Sequence, residues 1–235
     1  MNLLLLEPSE LAGDTVTLAA DDRRAVHARE VLDVQVGARL RAGVLGGALG
    51  TAEVIENAGA LVLRLALTEP ARPPLPIELV LAVPRPKVLS RVVEAAAAFG
   101  IERVTLTNAW RVDKSYLRSP RLAPAALAHA ARLGAEQGGV THLPTLAVHE
   151  RLMAYLDGNS YAGRNLLLAH PGARPLARPI SEPITIAIGP EGGWIAREVE
   201  TFVARGFTPV SIAPTILRVE TAVAAALGQL VMGTV

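Results

Sequence analysis

The sequence predicts an α/β fold, a parallel sheet with crossover helices, preceded by a smaller β-rich domain. Three observations predict it. From residue 77 onward, apolar strand-like runs alternate with amphipathic helical stretches, the pattern of a parallel sheet with helices on both faces. Residues 1–70 carry short strand-like runs separated by Gly and Asp, which suggests a small barrel. Between the two lies Glu69-Pro70-Ala71-Arg72-Pro73-Pro74-Leu75-Pro76, a proline cluster that cannot enter a helix, so residues 71–76 are predicted to form a stiff, extended linker.

In the first domain Met1 to Leu6 reads as an opening strand. Further strands are predicted at Val16 to Leu18, Arg39 to Val44, Ala52 to Glu56 and Leu61 to Leu67, with one helix near Asp21 to Leu32. In the second domain, strands are expected at Leu79 to Val83, Arg103 to Leu106, Leu166 to Ala169, Ile184 to Ile188 and Pro209 to Ala213. Helices are expected at Val88 to Phe99, Pro124 to Leu133, Ala196 to Arg205 and a final stretch reaching Met232. That last helix carries Val219, Val223, Ala226, Leu227, Leu230 and Val231 on a helical repeat, with Gly233 as its C-cap.

Composition narrows the function. The 51% hydrophobic content excludes a disordered chain, and 235 residues suffice for one or two domains with a sizeable core. Formal net charge is only +1, so any nucleic-acid footprint must be local rather than a global basic field. All 23 basic residues are Arg except Lys87 and Lys114, a skew best read as compositional bias. Without cysteine there are no disulfides, thiolate metal sites or cysteine nucleophiles; no metal is expected, and a reducing cytoplasm is the expected setting. The N-terminus lacks the basic region of a signal peptide, and Arg, Glu, Gly or Pro interrupts every apolar run before membrane-spanning length.

Two segments carry the chemistry. Ile188-Gly189-Pro190-Glu191-Gly192-Gly193 follows one predicted strand, and Thr215-Ile216-Leu217-Arg218-Val219-Glu220 follows another, after Ile212 and Ala213. Strand ends are where open α/β sheets hold ligands. Gly189, Gly192 and Gly193 let backbone approach a ligand, and Pro190 stiffens the turn. A third strand, Leu166-Leu167-Leu168-Ala169, ends in His170-Pro171.

These three elements, in this order, resemble the ribosomal RNA small-subunit methyltransferase E family, the uridine-N3 methyltransferases of the SPOUT superfamily. The resemblance implies a C-terminal trefoil-knotted domain over residues 77–235 that binds S-adenosylmethionine, and a PUA-like RNA-binding barrel over residues 1–70. It also implies homodimerisation through the knotted domain and its last helix, and small-subunit (16S) ribosomal RNA as partner. The cofactor site would comprise Leu168, Ala169, His170, Pro171, Ile188, Gly189, Pro190, Glu191, Gly192, Gly193, Ile212, Ala213, Thr215, Ile216, Leu217 and Arg218. Several of these aliphatics also suit the ends of buried strands.

Methylation at N3 of uridine needs loss of a weakly acidic proton, and negative charge spreads onto the flanking carbonyl oxygens. A fixed guanidinium would favour that anion, and Arg218 is the candidate. Glu191 and Glu220 either accept the proton or hold Arg218 in place as an internal ion pair. RNA contacts are expected from Arg23, Arg24, Arg29, Arg39 and Arg41 in the first domain, and from Arg85, Lys87, Arg91, Arg111 and Lys114 in the second, with Arg118 and Arg121 nearby. Glu136-Gln137 resembles a Glu-Gln pair of the family, or is simply the polar end of a helix.

The chain departs from the family pattern at Asp33, Ala95, Ala98 and Thr215, where basic or, in one case, acidic residues are usual. These departures leave the cofactor loops intact and bear on the RNA target. Two alternatives therefore stand beside the leading reading: a SPOUT methyltransferase acting on a transfer RNA base or a ribose 2′-hydroxyl, and a non-catalytic RNA-binding assembly factor.

Overall fold

The computed structural model describes residues 2–176 and 183–232, and Gly233 falls outside them. It divides into two compact units, Met1–Pro73 with Ala135–Leu143, and Pro74–Gly134 with Pro144–Val235.

The first unit is a six-stranded sheet. Its strands are β1 (Leu4–Leu6), β2 (Leu11–Ala12), β3 (Thr15–Leu18), β4 (Arg39–Val44), β5 (Leu49–Glu56) and β6 (Leu61–Glu69), with helix α1 (Arg23–Glu30) between β3 and β4. The order is β1-β4-β5-β6-β3-β2, antiparallel except for the β1–β4 pair. Strict alternation builds its core: Leu61, Leu63 and Leu65 turn inward while Arg64 and Ala66 face water, and Ala25 and Ala28 of α1 join the same cluster. Leu3 and Leu5, on the opposite face of the first strand, pack with Leu49 and Ala135. The return of residues 135–143 to this unit is not legible in the sequence, because a helix that changes partners midway keeps one unbroken apolar pattern.

The second unit is an all-parallel sheet of β7 (Leu75–Ala82), β8 (Ile101–Thr107), β9 (Thr145–His149), β10 (Asn165–Ala169), β11 (Ile184–Ile188) and β12 (Thr208–Val210), in the order β12-β10-β11-β7-β8-β9. The intervening helices are α2 (Pro86–Ala98), α3 (Pro124–Gly138), α4 (Leu152–Gly158), α5 (Ala196–Ala204) and α6 (Val219–Val231). The inward stripe of α6, Val219, Val223, Ala226, Leu227 and Leu230, is buried within the protomer, with α6 packed on α2 and β11. Among the described residues no helix is long and apolar enough to cross a membrane.

Several boundaries differ from expectation. Strand β7 starts at Leu75 and takes in Pro76, which precedes the first pairing with β11 at Ile77 and so removes no ladder hydrogen bond there. Helix α3 runs on to Gly138, β12 is only three residues long, and β9 and α4 are elements that the sequence pattern does not predict. Strand β9 is an edge strand with intermediate burial, so it lacks the continuous apolar run that marks interior strands.

Polar groups inside the second sheet are tied together. The buried Glu78 carboxylate accepts from Thr105 Oγ1 at 2.8 Å, Tyr155 OH at 2.9 Å and Thr185 Oγ1 at 3.3 Å. Burial, with the Glu78 charge alongside, pushes the Tyr155 hydroxyl well above its usual range, so it remains a donor.

Candidate active site

Strands β12, β10 and β11 are neighbours in the sheet, so the three motifs that follow them emerge side by side at its carboxyl edge. They enclose a cavity of about 660 Å³. Its lining includes Ala169, His170, Pro171, Ile188, Gly189, Pro190, Glu191, Gly192, Gly193, Ile212, Ala213, Thr215, Ile216, Leu217, Arg218 and Glu220, with Arg85 and Val88 from the β7 end. Leu168 is the exception: it is fully buried in β10 and does not line the cavity, because alternation turns it into the sheet packing.

The glycines have distinct geometries. Gly193 lines the cavity at φ +71° with no atom within 4 Å of where a Cβ would sit, so a side chain there would be strained by the backbone conformation rather than by crowding. At Gly189 a Cβ would lie 3.2 Å from the indole and backbone nitrogen of Trp194, which is buried and also lines the cavity. At Gly192 it would meet Arg111 Cδ at 3.0 Å, and Arg111 itself donates to the Gly192 carbonyl at 2.5 Å.

Arg218 is the N-cap residue of α6 and is exposed; no side chain caps the first turn of that helix, so its amides are left for water or a ligand. Among the described residues the Arg218 guanidinium makes no ion pair or hydrogen bond, and neither does the Glu220 carboxylate. Glu191 is engaged elsewhere: it accepts the Arg85 backbone N–H at 3.1 Å and lies 3.8 Å from the Arg85 guanidinium, at the start of α2. The Arg218–carboxylate pair expected as one alternative is therefore not formed among the described residues, since the α2 amino end draws Glu191 away. His170 Nδ1 lies 2.8 Å from the Pro171 carbonyl, which can only accept, so that nitrogen carries the proton.

The basic residues fall into two groups. Arg24 is buried, donating to Leu5 O at 3.0 Å, to Glu10 at 2.5 and 2.8 Å and to Asp22 at 2.7 and 3.0 Å, which removes it from any RNA surface. Burial opposes its charge, but the hydrogen bonds to Glu10 and Asp22 outweigh that and hold Arg24 above its usual range, while the same bonds lower both carboxyls. Arg23 grips Glu136 through two hydrogen bonds of 2.6 and 2.8 Å, which gives the Glu136 side chain an internal role. Arg29 bonds the carbonyls of Gly59 and Ala20, and Arg41 forms an exposed pair with Glu69 at 2.9 Å. Arg39, Lys87, Arg91 and Lys114 are exposed, and no ion pair engages them among the described residues. Asp33 follows α1 at φ +47°, a left-handed position that Asp tolerates better than most residues, so its place is set by backbone geometry at the helix end.

Two residues that support the site carry no mark in the sequence motifs. Trp194 directly follows the glycine turn, and buried Glu198 stands three residues into α5, where its carboxylate reaches back to the Ile195 N–H at 2.9 Å. A Glu at the third position of a helix is a legible capping signal. Its second bond, to the Trp110 N–H at 2.8 Å, is long-range and is not legible. Among the described residues no group of three or more His, Asp or Glu side chains could hold a metal.

Comparison with known proteins places this geometry. The model of the RNA methyltransferase domain family matches residues 71–231. Ribosomal RNA small subunit methyltransferase E of Treponema pallidum is 31% identical, the match covering 96% of this chain and 89% of that protein. Ribosomal RNA small subunit methyltransferase E 1 of Borreliella burgdorferi is 24% identical, covering 96% and 95%. Among solved structures, ribosomal RNA small subunit methyltransferase E from Neisseria gonorrhoeae bound to S-adenosyl methionine superposes with a TM-score of 0.76 at 21% identity, covering 98% of this chain and 97% of that one, a likeness of fold. The match to the domain model and the T. pallidum relative together establish that this chain belongs to the ribosomal RNA small subunit methyltransferase E family.

Proposed function

We propose that this chain is an S-adenosylmethionine-dependent RNA methyltransferase that modifies N3 of a uridine in small-subunit (16S) ribosomal RNA. One observation carries the reading: three neighbouring strand ends close a cavity of about 660 Å³, with a guanidinium at its edge, Arg218, that is unpaired among the described residues. That volume falls within the roughly 300–1,000 Å³ of small-ligand sites.

The residues present fit the cofactor. Gly189, Gly192 and Gly193 offer bare backbone, Gly193 at a positive φ that a residue with a Cβ rarely adopts, and Ile188, Ile212 and Leu217 offer apolar walls. When bound, S-adenosylmethionine supplies an electrophilic methyl group on a sulfonium. Arg218 stabilises the uracil anion that appears once the N3 proton is lost. Glu220, at the cavity and without a partner among the described residues, is the group placed to accept that proton, directly or through water. Glu191 acts on position instead, fixing the glycine turn to the start of α2.

In this reading the second unit is a trefoil-knotted SPOUT domain and the first a PUA-like barrel that holds RNA, joined near residues 71–76, and the enzyme works in the cytoplasm as a homodimer. The inward stripe of α6 is already covered by α2 and β11, so pairing through α6 uses its outer face. The phosphate contacts fall to Arg39, Lys87, Arg91 and Lys114, with Arg85 and Arg111 at the cavity rim. The test is a mass-spectrometric map of modified nucleosides in small-subunit ribosomal RNA from cells with and without the protein. Loss of one N3-methyluridine supports the proposal; an unchanged ribosomal map with a methyl missing from transfer RNA overturns the target.

A further inference from the structure

We propose that Trp110 is a stacking platform for an unpaired RNA base next to the methylated one, and so helps to select the substrate. The inference deepens the functional reading above and rests on it. The chain has two tryptophans. Trp194 is buried beneath the glycine turn at 8% exposure, whereas Trp110 is 79% exposed. An indole is among the largest apolar side chains, and leaving it in water forgoes the burial that normally places it inside a fold.

Its backbone is held in place all the same. The Trp110 N–H donates at 2.8 Å to Glu198, itself only 5% exposed, and Glu198 also holds the first turn of α5 through Ile195. The next residue, Arg111, donates to the Gly192 carbonyl at 2.5 Å, and Gly192 lines the cavity. A solvent-facing indole is thus carried on a pinned segment, one residue from a side chain clamped to the cavity wall. Fixed backbone and free ring together are what a recognition surface needs, since little ordering cost remains on binding.

The surroundings favour RNA over protein as the occupant. The exposed residues that follow Trp110 are Arg111, Asp113, Lys114, Ser115 and Arg118, polar and net basic. Cores of protein interfaces are depleted of charge, whereas proteins that bind single-stranded nucleic acid interleave aromatic rings with cations that track phosphates.

The experiment compares wild type, Trp110→Phe and Trp110→Ala as full-length proteins, with unmodified small ribosomal subunits as methyl acceptor. Losing one base stack, about 1–3 kcal/mol, corresponds to roughly 5- to 150-fold. The Ala variant is therefore expected to raise KM for the subunits by that factor, with kcat, melting temperature and S-adenosylmethionine affinity by calorimetry little changed. The Phe variant should stay within about threefold of wild type, because any flat ring restores the stack. An Ala variant with unchanged KM overturns the proposal and leaves the methyltransferase reading intact. An Ala variant that changes elution volume by losing self-association also overturns it, assigning the indole to a contact between copies. Wild type that binds S-adenosylmethionine yet methylates no RNA overturns the functional reading, and this inference with it.

Discussion

The Glu198 carboxylate accepts the backbone N–H of Trp110 at 2.8 Å, joining the loop after β8 to the start of α5 just beyond the glycine turn. Both backbone amides that this buried carboxylate reaches, Trp110 N–H and Ile195 N–H, are structural partners, so its work is to fix the wall of the cavity. Glu198→Ala leaves both amides without that partner in a buried setting, so it should destabilise the protein by about 2–4 kcal/mol, as two missing charge-assisted hydrogen bonds. Urea denaturation measures this, and a loss below about 0.5 kcal/mol would mean that water replaces the carboxylate.

Arg218→Ala should lower turnover by about 100-fold or more, by analogy with removal of one oxyanion donor. Because the guanidinium is exposed and unpaired among the described residues, thermal stability should not move, and S-adenosylmethionine affinity should change far less than turnover. Single-turnover kinetics with calorimetry separates these. A variant that unfolds early and binds no cofactor would assign Arg218 to the fold instead.

Gly193→Val puts a branched side chain at a positive φ in the turn that lines the cavity, so the turn must shift, and the variant should abolish S-adenosylmethionine binding while most of the fold survives. Titration calorimetry and circular dichroism read the two effects. Unchanged affinity would remove the glycine turn from the cofactor site.

Arg24→Ala leaves Glu10 and Asp22 without their cation and should cost about 3 kcal/mol, the low end for breaking a buried pair because both carboxylates stay partly solvated. The pH dependence follows from the lowered carboxyls. Their contribution is complete above the ordinary values of 4.5 and 3.8 and is lost as pH falls below these towards the folded-state values. Melting curves of wild type should therefore fall below about pH 4.5, and those of the variant should fall less steeply. RNA affinity at neutral pH should be unaffected in the fraction that is folded.

Substituting Arg39, Lys87, Arg91 or Lys114 by Ala should weaken RNA binding alike across sequences and flatten its salt dependence by about one unit of slope for each phosphate that the variant no longer neutralises. Binding across a salt series is the measurement. Point variants serve better than deletion of residues 1–74, which would uncover Ala135, Glu136 and Thr141, all buried in the first unit.

The cofactor loops are legible in the sequence because backbone chemistry is written locally: Gly189, Gly192 and Gly193 sit at a strand end in any reading, and the cavity forms around them. Interior strands β10 and β11 are legible because burial between neighbouring strands makes their runs almost entirely apolar, Leu166 to Ala169 in one and Ile184 to Ile188 around Thr185 in the other. Charge is not. Arg23 and Arg24 look alike in sequence, yet one grips Glu136 at a separation of 113 residues and the other is buried between Glu10 and Asp22. The partners of a cation are set by tertiary structure, so a basic pair is weak evidence for a phosphate site until its carboxylates have been located. The same reason hides the bond from Glu198 to Trp110, whose residues lie 88 positions apart.

The most direct test of the central claim is methyl transfer by purified protein from labelled S-adenosylmethionine to unmodified small ribosomal subunits, followed by nucleoside digestion and mass spectrometry. Label is expected in N3-methyluridine at one position of the small-subunit RNA, with nearly all of it lost in Arg218→Ala. Label in a ribose 2′-O-methyl nucleoside, or none in RNA from a protein that binds the cofactor, would contradict it.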